Sequence, residues 1–171
     1  MASASDAAAP ATSFSATDLW VPTGAGHVLY LRQLDPVGTP VATVLLVHGV
    51  FFDGRFFLNA RGEGPARFFL ERNYRVLVGD FRGHGKSRWP EGKRRWDWSF
   101  DEYAQEDVAA LVTQARQVQA GPLFVLCHSM GGYVALAGLG CQPKLQEGWP
   151  ASPSWPRRSM TTATAGCASG S

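Results

Sequence analysis

Leu123-Phe-Val-Leu-Cys-His-Ser-Met-Gly-Gly132 is the stretch that decides how this chain folds. Its first residues are apolar and short in run, the signature of a buried strand. A serine follows at once, with glycines two and three positions further on. A strand that breaks sharply at a serine and runs straight into a helix is a nucleophile elbow, usually written G-x-S-x-G. Here the five positions are Cys127-His128-Ser129-Met130-Gly131, with cysteine in place of the first glycine. So tight a turn needs small neighbours two residues away, and it lifts the hydroxyl of Ser129 clear of the sheet. Cys127 still lies within the strand, which argues against it as the nucleophile. His128 is adjacent in sequence, so its side chain points away from Ser129 and reads as site lining or structure.

Upstream, Gly121-Pro122 ends the best-marked helix. Ser99 and Glu102 form a capping box at its start, and Phe100, Ala104, Val108, Leu111, Val112 and Ala115 recur at helical spacing. Tyr74–Val78 is a short apolar strand that ends in Gly79-Asp80-Phe-Arg-Gly-His-Gly-Lys-Ser87. Val41–Val47 is β-branched and apolar throughout, as in a strand covered on both faces, and His48-Gly49-Val50-Phe51 follows it. Gly64-Pro65 opens a helix expected to run to Arg72, with Asn73 as its stop. Asp18–Val21 and His27–Arg32 flank turn residues and read as a hairpin. Strands alternating with helices predict an α/β fold, a predominantly parallel sheet with flanking helices. The three glycine-bearing motifs all sit at C-terminal strand ends, where sites collect in such sheets.

Composition narrows the function classes. The chain has 171 residues, 45% of them hydrophobic and 18% charged, which suits a globular domain with its own core. A net charge of +2, with basic residues mostly dispersed, gives no argument for nucleic acid. No apolar run is long enough for a transmembrane segment, and the N-terminus lacks the pattern of a signal peptide. Three cysteines without a C-x-x-C pair read as reduced thiols, hence a cytoplasmic protein with no metal site. No cofactor motif stands out. Gly85-Lys86-Ser87 ends like a P-loop, but position 80 is aspartate where a glycine is required, and Arg88-Trp-Pro90 does not begin a helix.

Taken together, HG after the third strand, D-x-R-G-H-G-x-S after the fourth and the serine elbow after the fifth resemble the α/β-hydrolase superfamily, over about residues 18–140. Trp98-Ser-Phe-Asp-Glu-Tyr103 with Asp107 is similar to its lipase and esterase branch. The resemblance implies a serine hydrolase of carboxylic esters, acylglycerols among them. Ser129 would be the nucleophile, and the backbone N–H groups of Val50 and Met130 the oxyanion hole. His48, Gly49, Asp80, Arg82 and Gly131 would support the loops, and the partner would be a small apolar ester substrate.

The pattern then breaks. The triad order in this fold is serine, acid, histidine, yet no histidine or aspartate follows Ser129, and Glu147 is the one acid there. From Cys141 the composition turns to Pro, Trp, Ser, Thr and Ala without any period. The expectation is a disordered segment at 1–16, a partial hydrolase domain at 17–140 truncated after the nucleophile helix, and an unstructured, non-native tail at 141–171, from a frameshift or a truncation. Two functions stay open: an ester hydrolase whose chain is incomplete, and an inactive fragment that binds an apolar ligand or partner. Self-association through an exposed sheet edge is expected in either case.

Overall fold

The computed structural model describes residues 13–24, 26–90 and 96–147. Five strands form one mixed sheet in the order β1-β2-β4-β3-β5. They are β1 (Phe14–Pro22), β2 (Val28–Pro36), β3 (Ala42–Val47), β4 (Tyr74–Asp80) and β5 (Leu123–Cys127). β3 pairs in parallel with both β4 and β5, as the alternating pattern predicts. The β1–β2 hairpin adds an antiparallel edge, joined to β4 through β2.

Side-chain alternation sorts the core onto two faces. Val44, Leu46, Val76 and Val78 pack with Leu70 and Ala66 of α1 (Pro65–Leu70) and with Phe57 and Leu58 before it. Leu45, Val47 and Leu77 pack on the other face against Leu111, Val112 and Val134. Those residues come from α3 (Val108–Val118) and α4 (Met130–Cys141). The register sets Phe124 beside Val44 and Leu126 beside Leu46, on the α1 face. α1 does not reach that far, and both side chains are half-exposed. Among the described residues β5 is an edge strand, with β3 as its one neighbour in the sheet.

Several boundaries differ from expectation. β1 begins at Phe14 rather than Asp18, because Phe14 to Thr17 pair with Pro36 to Gln33 of β2. The segment expected to be disordered through residue 16 is therefore partly strand, and residues 1–12 lie outside the described residues. α1 stops at Leu70, and Asn73 holds the left-handed conformation (φ 58°) that ends the run. The capping box is present: Ser99 Oγ accepts from Asp101 N, and Glu102 Oε2 accepts from Ser99 N at 2.7 Å. The single helix expected after it is α2 (Phe100–Glu102), then a π-helical segment Tyr103–Asp107, then α3. Beyond α4, Pro143–Gln146 forms a short 3₁₀ turn held by Arg116, whose guanidinium donates to Leu145 O at 2.6 Å. The rest of the expected unstructured tail lies outside the described residues. Cys127 is free, and Cys167 lies outside the described residues. Among the described residues no helix is long and apolar enough to cross a membrane, and no cluster could hold a metal ion.

Candidate active site

Ser129 stands between β5 and α4 with φ 51° and ψ −125°, a backbone region that costs a non-glycine residue energy and persists only when its surroundings enforce it. Two contacts do so. His128 N donates to Val47 O at 2.9 Å, pinning the end of β5 to β3. One residue into α4, Gly131 lies against the backbone after β3, where a Cβ would overlap His48 O and sit 2.9 Å from Val47 O. The Ser129 side chain is left exposed. Cys127 at the first small position is accommodated because the residue facing it is Gly132, whose Cβ would stand 3.8 Å from that of Cys127. Burial pushes the Cys127 thiol up to about 11, so it stays protonated at neutral pH.

The loop after β3 closes on the elbow. A Cβ at Gly49 would be 3.0 Å from the Cβ of Ser129 and 3.0 Å from Nδ1 of His128. Val50 follows, and Phe51 takes φ 65° with its ring in solvent. Among the described residues neither Val50 N–H nor Met130 N–H has an acceptor, and Met130 is the first residue of α4, where a helix leaves its N–H groups unpaired. Phe52 and Phe56 pack their rings on His128, with centroids 5.3 and 4.4 Å away, so that histidine is turned into an aromatic cluster.

His48 is fully buried beneath this loop. Its Nε2 accepts from Phe81 N at 3.1 Å, which leaves Nδ1 to donate to Gly49 O at 2.8 Å. Both ring nitrogens are thus committed in the neutral form. Burial lowers its pKa to about 4, against a backbone hydrogen bond that works the other way. A histidine depressed from 6.5 to about 4 adds stability that is complete above pH 6.5 and lost as the pH falls through 4. The stability difference between the parent and His48→Gln is therefore expected to shrink by on the order of 3 kcal/mol over that window. Urea denaturation at stepped pH measures it, and a difference flat from pH 7 to 4 would refute it.

Asp80 and Arg82 tie the two loops down. Asp80, buried at the end of β4, accepts from Gly54 N at 2.7 Å and Lys86 N at 2.9 Å, and its backbone oxygen accepts from Ser87 Oγ at 2.7 Å. Gly85 must be glycine for this turn, since at φ 50° a Cβ would overlap the Asp80 carboxylate. Arg82 is buried and donates through Nε to Asp107 Oδ1 at 2.8 Å and through a terminal nitrogen to Glu106 Oε2 at 2.5 Å. Its backbone N–H also reaches Asp107, at 2.9 Å. The π-helical turn delivers both carboxylates to one guanidinium. Burial raises the Asp107 pKa to about 6, although Arg82 pulls it down. The sequence marks Asp107 but not its pairing with Arg82, and it gives no sign of Glu106.

His84 Nδ1 lies 3.0 Å from Arg82 O, and His27 is buried against Trp98 and Trp89. The structure therefore brings His48, Gly49, Val50, Met130 and Gly131 around Ser129, with Asp80 and Arg82 one layer behind.

An antiparallel hairpin leading into a parallel sheet, with a strained serine between the last strand and its helix, defines an α/β-hydrolase. The chain belongs to the serine aminopeptidase, S33, family, whose sequence profile matches residues 38–152. It is 29% identical over 147 residues to triacylglycerol lipase 1 of Arabidopsis thaliana, covering 79% of this chain and 36% of that one. It is 30% identical over 112 residues to monoglyceride lipase of Homo sapiens, covering 65% and 34%. Among solved structures it is similar to the Pyrococcus furiosus esterase Pf2001, with 27% identity, a TM-score of 0.55 and coverage of 74% and 47%. The chain spans about a third of the length of the curated relatives it matches.

Proposed function

We propose that Ser129 is the nucleophile of a carboxylic-ester hydrolase and that the N–H groups of Val50 and Met130 form its oxyanion hole. The observation that carries this reading is the strained backbone of Ser129, held between β5 and α4 with the loop after β3 closed against it. Ser129 Oγ would attack the ester carbonyl carbon, and the negative charge would develop between two N–H groups that have no other acceptor among the described residues. Each such donor is typically worth ~3 kcal/mol in the transition state, and the N-terminal end of α4 adds a favourable dipole. The lipase and esterase relatives support an ester substrate. The aromatic surface of Phe51, Phe52 and Phe56 beside the elbow suits an apolar acyl group.

The attack also requires a base to take the Oγ proton. All four histidines precede Ser129 in the sequence, and His48 is held neutral with both nitrogens occupied. Loss of the histidine alone costs on the order of 10⁶ in kcat in a serine hydrolase. The expected result with a short-chain p-nitrophenyl ester is a rate equal to that of Ser129→Ala. Added imidazole is expected to open a gap between the two proteins. Equal rates at every imidazole concentration would refute Ser129 as nucleophile and favour the second reading, a non-catalytic domain that holds an apolar ligand. Turnover well above the control without imidazole would show that a base is present.

A further inference from the structure

A cavity of about 290 Å³ lies on the α1 face of the sheet, away from Ser129, between β2, β4 and the loops that follow β3 and β4. We propose that it binds a small carboxylate carrying a short apolar tail, a site separate from the elbow and independent of the esterase reading. The register of β2 on β4 sets Tyr30 beside Asp80 and Arg32 beside Val78, so Tyr30, Arg32 and Leu34 project to this face. Leu34, Leu58 and Val78 supply an apolar lining, and Arg32 and Lys86 supply the cations.

Two of the cations at the cavity, Arg32 and Lys86, are held by long ion pairs to one shared carboxylate. Among the described residues Arg32 Nε has no hydrogen-bond partner, and the carboxylate it pairs with, Asp18, stands 3.8 Å away. Lys86 Nζ shares that same carboxylate, also at 3.8 Å. Asp18 meanwhile accepts a 2.6 Å hydrogen bond from Tyr30 Oη. One carboxylate thus faces two cations and is already taken by a hydroxyl. Arg55 and Asp53 in the wall neutralise each other at 2.7 Å. The Asp80 carboxylate also lines the cavity, and its two oxygens are taken by Gly54 N and Lys86 N. A ligand carboxylate would give the Arg32 guanidinium, whose side chain is partly open to solvent, an acceptor at hydrogen-bond distance, a charge-assisted and bidentate-capable pairing. At ~30 Å³ for the share of a water molecule, the cavity has room for about ten non-hydrogen atoms. That matches an eight-carbon monocarboxylate, and the apolar lining accounts for its tail.

Calorimetric titration of the 171-residue chain with octanoate, below its micelle concentration, tests this. One saturable site is expected, with 1-octanol binding at least about tenfold more weakly and with affinity falling as salt rises. Lys86→Met keeps the backbone N–H that Asp80 needs and is half-exposed, so the fold is expected to survive. It should weaken octanoate about fivefold or more and leave 1-octanol unchanged. Equal octanoate affinity in Lys86→Met and the parent would place the ligand elsewhere and overturn the proposal. So would 1-octanol binding as well as octanoate, inorganic phosphate binding as well as octanoate, or an absence of saturable binding.

Discussion

Arg82→Met is expected to destabilise the chain by about 3–5 kcal/mol at pH 8, because it leaves Asp107 charged and buried without its counter-ion. Both side chains of the pair are almost wholly removed from solvent. The terminal nitrogen that reaches Asp107 Oδ1 at 2.7 Å also serves Glu106, so methionine strands two carboxylates at once. The penalty has a definite pH dependence. Asp107 already has a raised pKa of about 6 in the presence of Arg82, and removing the cation raises it further. Lowering the pH to 5 lets Asp107 take a proton and become neutral, so the cost of the substitution is expected to fall. The double variant Arg82→Met, Asp107→Leu removes both charges and should recover most of the loss, as replacement of buried ion pairs by apolar residues does. Urea denaturation of the two variants at pH 8 and pH 5 gives the comparison. A double variant no more stable than Arg82→Met alone would refute the pairing as the source of the loss.

That ion pair also marks the limit of what the linear sequence conveys. Strands β3 and β5 are legible because an apolar run bounded by glycine and proline has few other solutions in a chain of this size. The elbow is legible for the same reason, with Ser129 placed by the strand before it and the glycines after it. β1 is less so. Ser15, Ala16, Thr17 and Asp18 carry no apolar alternation and are exposed, and they are strand because β2 pairs with them. The π-helical segment is hidden as well, since Ala104 and Val108 keep the four-residue spacing of an α-helix across it. Links between distant loops leave no local trace. Gly54 N finds Asp80 across 26 positions, and Arg82 finds Asp107 across 25. Arg82 and Asp107 are each visible as unusual residues near a motif, yet their pairing appears once β4 and the helix are stacked. The sequence has no histidine after Ser129, and His48, fully buried beneath the elbow loop, is held there as a spacer between Gly49 O and Phe81 N.

Gly131→Ala tests the packing that holds Ser129 in its strained conformation, and it comes with a built-in control. Its methyl group would overlap His48 O and approach Val47 O at 2.9 Å, both backbone atoms that cannot swing aside. Relief requires α4 to move away from β3 or the loop after β3 to move away from α4. Overpacking of this kind costs about 1–3 kcal/mol, and more where the clash is with backbone. The next residue is also glycine and also in α4, but a Cβ at Gly132 would meet Cys127 at an ordinary 3.8 Å. Gly132→Ala is therefore expected to be neutral or to stabilise by up to about 1 kcal/mol through helix propensity alone. Two identical substitutions at adjacent positions should thus differ in effect, with Gly131→Ala lowering the urea midpoint and Gly132→Ala holding or raising it. The contrast follows from geometry at the elbow rather than from the residue type. Equal midpoints for the two variants would mean that α4 does not press on the loop after β3, and Ser129 would then lose the contact that keeps it at positive φ.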